Sequence, residues 1–379
     1  MVLASRAYAH GALVPWNLIA AWGAHVCLVW LTVLLVYHFP GRFESAGDAP
    51  GGIADLFAAW DGSHYTWIAA NGYSTEGNEI RRFAFFPLFP LIAHLLGGGK
   101  HTVIAGVVFN QILLLGSALL LGQLVRPGKE RNADLLSQPG FWLLISPLAF
   151  FFSVFYSESL FLFLGLAGTV AYTRGRYDVA IPALVLAGLT RPTAICLAAI
   201  FLCDAAIRLR NRRKVVVALA CAAAPVLGIL IYWAAVAYST GNLMGYFQIQ
   251  STIWGHSWTA PFLPFLQDAR ATVARFLDGS LRLPDQNLRL LSTLIILSVF
   301  AAGWRRLDAP LLFFVLVSMI FIHSQEPNRS TARYELAIFP LYLLLPPARA
   351  KLFPAVIAVA FILLQIRWLL EFLAWRWVA

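Results

Sequence analysis

Four apolar runs of more than twenty residues each, 17–39, 102–125, 215–238 and 352–372, constrain this chain more than any other feature in it. Crossing the hydrocarbon of a bilayer takes about 20 apolar residues as a helix, and each run is that long. Inside lipid an unpaired backbone N–H or C=O costs several kcal/mol, so the runs must be helices that satisfy their own backbones. Seven shorter apolar stretches, 140–155, 158–173, 179–190, 193–207, 288–303, 309–323 and 335–348, bring the number of predicted membrane segments to eleven. The pairs 140–173 and 179–207 are short enough to be tilted, or to be hairpins turning near one face. With 60% hydrophobic residues, 12% charged residues and a mean hydropathy of +0.73, a soluble domain is excluded. The expected fold class is an all-α polytopic membrane protein.

A single integral membrane domain over 1–379 follows. It has a first span at 17–39, a loop at 40–101, central spans at 102–238, an aromatic-rich loop at 239–287 and C-terminal spans at 288–379. The run from Asn17 to Phe39 is too long for the core of a cleavable signal peptide, which predicts a retained span. Cys27, Cys196, Cys203 and Cys221 lie inside apolar runs and read as reduced thiols. Neither an internal repeat nor a low-complexity tail is present.

The net charge of +10 would point to nucleic acid in a soluble protein, but here it sorts by connection. Alternate connections collect Arg126/Lys129/Arg131, Arg174/Arg176, Arg208–Lys214, Arg305/Arg306 and Arg349/Lys351. Assigning every charge by this parity puts 15 basic and 5 acidic residues on one side and 13 of each on the other. The basic side is expected to be cytoplasmic, with the N-terminus on it, and no nucleic-acid partner is expected. The other, external side then holds the 40–101 loop, Tyr156–Glu158, Thr190–Pro192, the 239–287 loop and His323–Arg333.

Charge and aromatic residues concentrate in residues 60–90, WDGSHYTWIAANGYSTEGNEIRRFAFFPLFP, where Asp61, His64, Tyr65, Glu76, Glu79, Arg81 and Arg82 fall within 22 positions. Polar groups at such density beside a membrane need water or a site. From Ile53 to Ala70 the apolar positions recur at helical spacing, interrupted at Asp61-Gly62-Ser63, and predict an interfacial helix. Phe83 to Leu96 predicts a second short segment, broken by Pro87 and Pro90. A helix would carry positions 61, 64 and 65 on one face, setting a carboxylate beside an imidazole. That face reads either as a solvated aromatic belt or as a site in which Asp61 is the general base to a hydroxyl. A divalent cation held by Asp61, His64 and Glu158 stays open as a cofactor.

Glu158 stands between two apolar segments, where a carboxylate is costly unless it meets water or a cation. Arg191, in GLTRPT, interrupts two apolar runs in the same way; it either snorkels to lipid headgroups or binds a phosphate, for which its planar fork is suited. Arg329 and Arg333 lie on the same side in HSQEPNRSTARY, and three converging arginines make a better anion site than one. Tyr246, Phe247, Trp254, His256, Trp258, Phe262 and Phe265 crowd the 239–287 loop, either as a lid over an acceptor or as rings resting at the interface. Neither a Walker loop, an H-E-x-x-H, a G-x-S-x-G nor a Cys/His metal cluster occurs.

Taken together, W-D-x-x-x-Y-x-x-I-A-x-x-G-Y at 60–73, A-F-F-P-L-F-P at 84–90, Y-S-E-S-L-F at 156–161, G-L-T-R-P-T at 188–193 and A-R-Y-x-x-x-I-F-P at 332–340 resemble the PIG-V family. These are GPI mannosyltransferase 2-like proteins, which include shorter prokaryotic homologues. The resemblance spans most of the chain, in order. It implies the GT-C glycosyltransferase fold, an active site on the outer face and a polyprenyl-phosphate sugar donor, above all polyprenyl-phosphate mannose. It also implies a multi-pass protein of a prokaryotic plasma membrane. In GT-C enzymes a carboxylate of the first external loop is catalytic, and Asp61 matches that position. The acceptor is a glycan, lipid or protein hydroxyl.

On this reading Asp61 takes the acceptor proton, and the anomeric carbon inverts as polyprenyl phosphate leaves against Arg191, Arg329 or Arg333. His64, Tyr65 and Glu158 orient the catalytic groups or bind substrate. A transporter or flippase of lipid-linked sugar would instead spread polar groups along a path between both faces. A non-catalytic partner subunit is the third alternative. The charge division itself is testable by cysteine labelling: Ser74→Cys should react with an impermeant reagent from outside and Asn211→Cys only from inside. The reverse pattern would overturn the whole orientation.

Overall fold

The structure is a computed structural model, and it describes residues 15–40, 51–125, 134–279, 286–327, 330–345, 352–376 and 378. Its helices follow one another as α1 (Trp16–His38), α2 (Ile53–Phe57), α3 (Asp61–Asn71), α4 (Leu88–Gly97), α5 (Thr102–Gln123), α6 (Pro139–Ile145), α7 (Glu158–Thr173) and α8 (Tyr177–Gly188). The second half adds α9 (Ala198–Ile207), α10 (Arg212–Thr240), α11 (Gly245–Gln248), α12 (Leu263–Leu277), α13 (Gln286–Gly303), α14 (Ala309–His323), α15 (Thr331–Glu335) and α16 (Leu352–Leu373). Strands are confined, among the described residues, to a two-residue antiparallel pair, β1 (Ser257–Trp258) against β2 (Gln325–Glu326). The protein is all-α and multi-pass.

Among the described residues four helices, α1, α5, α10 and α16, are long and apolar enough to cross a membrane. A fifth span is reached if the 3-10 segment Gly77–Ala84 and α4, which meet at a bend of 104°, are taken as one broken element. Shorter apolar helices, α7, α8, Pro192–Ile207 and α14, pack among them. The eleven expected segments are therefore not confirmed, and two of them are apolar without being helical throughout. Residues 140–155 divide into α6, a break at Ser146–Leu148 around Pro147, and the single 3-10 turn Ala149–Phe152. Residues 335–348 hold only the end of α15 and the 3-10 turn Phe339–Leu343, opened by Pro340, and 346–348 lie outside the described residues. The described residues of both stretches are mostly buried inside the bundle, where protein covers a backbone that is not helical.

Side-chain exposure separates an inner bundle from a lipid-compatible surface. Trp142, Phe150, Phe152, Phe155, Phe201 and Phe339 are fully buried, whereas Leu31, Leu227, Val359 and Leu363 stand out from the long helices. With apolar surface on both sides, helix association depends on close packing more than on water exclusion. Helix α10 lies against α8 and α9, α7 against α8 and α5, and α14 against α9. The α8–α10 crossing is the tightest: a Cβ on Gly188 would overlap the Pro225 carbonyl oxygen, and one on Gly228 would overlap that of Val185.

Gly188 also ends α8 three residues before Arg191, so the crossing fixes where that arginine emerges. Gly188→Val should separate α8 from α10 and destabilise the bundle by about 1–3 kcal/mol, the usual range for overpacking. A wild-type unfolding temperature in a lipid environment would show that the crossing can relax.

Candidate active site

Two carboxylates and two arginines from four separate segments meet at one end of the bundle. Asp61 is the first residue of α3 and Glu158 the first of α7, positions where the helix dipole favours a negative charge. Arg191 is extended, at φ −158°, because the following Pro192 disfavours helix at that position. Its side chain is thereby released into the gap between α8 and the Pro192–Leu197 turn. Arg333 comes from the five-residue α15.

Arg333 bridges the two acids, with Nη2 2.7 Å from Asp61 Oδ2 and Nε 3.2 Å from Glu158 Oε1. Arg191 pairs with the same Glu158 oxygen through Nη1. Tyr334 packs between the cations, 4.9 Å from the Arg191 guanidinium and 5.5 Å from that of Arg333, and Tyr156 supplies another ring 5.2 Å from Arg333. Burial alone would weaken both guanidinium charges. For Arg191 the Glu158 carboxylate, with Tyr65 and Tyr334, more than offsets it, and for Arg333 Asp61 and Glu158 lead the opposing effects, so both are held above the ordinary arginine value. Of the four side chains, Glu158, Arg333 and Arg191 are 2, 5 and 9% exposed, and Asp61 is 17%. Asp61 is thus the member an arriving molecule can reach.

The turn before Asp61 is held from below. Trp60 takes φ +57°, a left-handed conformation costly for a bulky residue, and breaks the expected 53–70 helix at Ala58–Trp60, just ahead of the predicted interruption. The Phe155 N–H donates to the Phe57 carbonyl at 3.0 Å. Tyr156 Oη donates to the Ala59 carbonyl at 2.9 Å and accepts from the Asp61 N–H at 3.1 Å. Asn110 of α5 steadies the same stretch, donating to the Val154 and Tyr156 carbonyls at 2.7 and 2.8 Å. Tyr65 Oη meets Ser157 Oγ at 2.9 Å, tying α3 to the start of α7. Tyr65 is therefore a buried support for the site.

His64 does not join Asp61 as the helical spacing suggested. Its ring stacks on Phe85 at 4.6 Å and meets the edge of Trp254 at 5.5 Å, because the following segment folds back over α3. With Arg333 between Asp61 and Glu158 and His64 turned away, these three do not form a metal cage. Among the described residues no group of three or more His, Cys, Asp or Glu side chains is arranged to hold a metal ion. Arg329 lies outside the described residues.

Trp254 of the 239–287 loop packs beside the site. Trp254 Nε1 donates to the Arg81 carbonyl at 3.0 Å, just after the π-helical turn Ile249–Ile253, and places its ring against His64 and Phe85. Tyr246 packs on Phe86 and Tyr232, while Phe262 and Phe265 pack on His323. Glu335 escaped the sequence reading altogether. It is buried and accepts from Ser292 Oγ at 2.7 Å and Thr293 Oγ1 at 2.8 Å, with His323 Nε2 at 3.0 Å. Its one visible signal is that a second charge follows Arg333 by two positions in an apolar stretch.

Burial holds the His64 imidazole down at about 4 from its ordinary 6.5; Asp61 opposes this, and Arg81 and Arg82 add to it. The folded chain therefore binds fewer protons than the unfolded one between those values. Its contribution to stability is full above pH 6.5 and is lost as the pH falls toward 4. His64→Phe should flatten the wild-type fall in unfolding temperature over that interval, and an unchanged slope would show that the ring titrates normally.

Comparison with known proteins bears on part of the chain. No family model matches it. It is 33% identical over 157 residues to GPI alpha-1,6-mannosyltransferase 2 of Mus musculus, covering 36% of this chain and 30% of the relative. The enzyme of the same name from Rattus norvegicus is 30% identical over 169 residues, covering 38% and 32%, and that from Cricetulus griseus is 32% identical over 139 residues, covering 33% and 26%. The chain is thus similar to mannosyltransferases along a match that spans about a third of their length.

Proposed function

We propose that this protein is a membrane glycosyltransferase that transfers mannose from a polyprenyl-phosphate donor to an acceptor hydroxyl on the external face. The observation that carries the reading is the meeting of the partly exposed Asp61 with the buried Glu158, Arg191 and Arg333. The similarity to GPI mannosyltransferases supports the sugar and the reaction class. The five motifs shared with the PIG-V family support a GT-C architecture and a lipid-linked donor.

The reaction is a single displacement. Asp61 removes the proton of the acceptor hydroxyl as its oxygen forms a bond to the anomeric carbon. The bond from that carbon to the phosphate oxygen breaks on the opposite face, giving inversion, and the electron pair leaves with the phosphate. A phosphate is already a good leaving group, so it needs charge stabilisation more than protonation, and Arg333 and Arg191 supply it. Glu158 keeps the two guanidinium groups together before the donor arrives. Trp254 and Phe85, packed around His64 over α3, add the aromatic character suited to a sugar.

A flippase would be expected to carry its polar groups from face to face. The network here instead closes on itself at one end, which favours an enzyme.

The test is to incubate the purified protein in lipid with radiolabelled polyprenyl-phosphate mannose and candidate acceptors. Asp61→Asn keeps the shape and removes the proton acceptor. Turnover should fall by about 10²–10⁴-fold while the donor still binds. A folded Asp61→Asn protein with near-wild-type turnover would refute the role and make Glu158 the next candidate.

A further inference from the structure

Helix α15 is five residues long, far short of the roughly 12–15 residues at which an isolated helix becomes even marginally stable. Its direction and its rotation about its own axis must therefore come from contacts outside it. At its middle stands Arg333, which bridges Asp61 and Glu158. Two positions on, about 200° around the helix axis, stands Glu335. The two side chains leave the helix on nearly opposite sides, one into the candidate active site and the other away from it.

Glu335 is 1% exposed, and three groups from two other helices converge on its carboxylate. Ser292 Oγ donates to Oε2, Thr293 Oγ1 donates to Oε1, and His323 Nε2 lies 3.0 Å from Oε1. The serine and threonine are on α13 and the histidine ends α14, where the Phe262 ring stacks on it at 4.6 Å. A carboxylate held by three donors from two directions resists rotation of the backbone that carries it, because any turn of α15 would break charge-assisted hydrogen bonds.

We infer that Glu335 is a positioning residue: gripped by Ser292, Thr293 and His323, it fixes the rotation of α15 and thereby sets where the Arg333 guanidinium meets Asp61 and Glu158. The inference rests on the reading of that network as a transferase site. A misplacement of about 1 Å in such a site costs on the order of 10²-fold in rate, so the grip matters even though Glu335 touches no reacting atom.

The experiment uses the full chain in lipid and compares Glu335→Gln, Thr293→Val, Arg333→Lys and the double variant Glu335→Gln/Arg333→Lys. Glu335→Gln should lower kcat by about 10–100-fold, and the double variant should be no slower than Arg333→Lys alone, because both changes act on one guanidinium. Effects that multiply would overturn the inference, since an independent structural role predicts multiplication. A second readout needs no substrate: the Arg333 Nε–H resonance in ¹⁵N-arginine-labelled protein, assigned by its loss in Arg333→Lys. It should move toward the position of a free arginine in Glu335→Gln. Thr293→Val should move it in the same direction and keeps the test open if Glu335→Gln fails to fold. An unmoved resonance would refute the positioning role. If the wild type transfers no sugar at all, the transferase reading falls and the resonance still decides the grip of Glu335 on Arg333.

Discussion

The Glu158 carboxylate has almost no contact with solvent, and the ion pairs it makes with Arg191 and Arg333 hold one end of the bundle together. Removing a charge from water costs several kcal/mol, and removing one partner of a buried pair typically costs roughly 3–5 kcal/mol because the other charge is left uncompensated. Those magnitudes explain why the four charged side chains behave as one object. Two acids and two arginines give a balanced set, and losing either arginine leaves two carboxylates facing a single guanidinium. Four helices are bound to this condition: α3 and α7 by their first residues, Asp61 and Glu158, α15 by its central Arg333, and α8 through the extended turn that presents Arg191.

The same condition explains the irregular backbone around the site. A membrane bundle tolerates non-helical segments only where protein covers them. The stretch Ser146–Ser157 is such a segment, and its free peptide groups are used. Phe155 and Tyr156 bind the turn ahead of Asp61, and Asn110 satisfies the carbonyls of Val154 and Tyr156. Trp60 is kept in a left-handed conformation by these bonds. What the bundle gives up in regular helix it recovers as a rigid mount for one partly exposed carboxylate.

The residues of the site were legible in the sequence to the extent that a charge in an apolar chain is conspicuous. Asp61, Glu158, Arg191 and Arg333 stand out for that reason, and the structure brings them together. Their partnerships were not legible. Helical spacing put His64 beside Asp61, but spacing within one helix says nothing of a segment that folds over it, and Phe85 and Trp254 take the imidazole instead. Glu335 was overlooked because its role depends on Ser292, Thr293 and His323, whose proximity is a matter of packing between helices. The all-α membrane class followed directly from run length. The number of spans did not, because hydropathy reports burial in any apolar surroundings and cannot tell lipid from protein, as 140–155 and 335–348 demonstrate.

Exposure finally assigns different work to the two carboxylates, although both stand at helix N-termini and both meet Arg333. Glu158 is enclosed by two guanidinium groups and the rings around them, so a substrate hydroxyl has no route to it without displacing a paired charge. Among the described residues Asp61 pairs with Arg333, and its side chain is the most exposed of the four. On the proposed transferase reading, a phosphate arriving at Arg333 competes with Asp61 for the same guanidinium, so that donor binding and release of the proton acceptor are coupled through one side chain. That coupling requires Arg333 to be held at a fixed distance from both carboxylates, which a five-residue helix cannot provide unless its far end is anchored, as it is at Glu335.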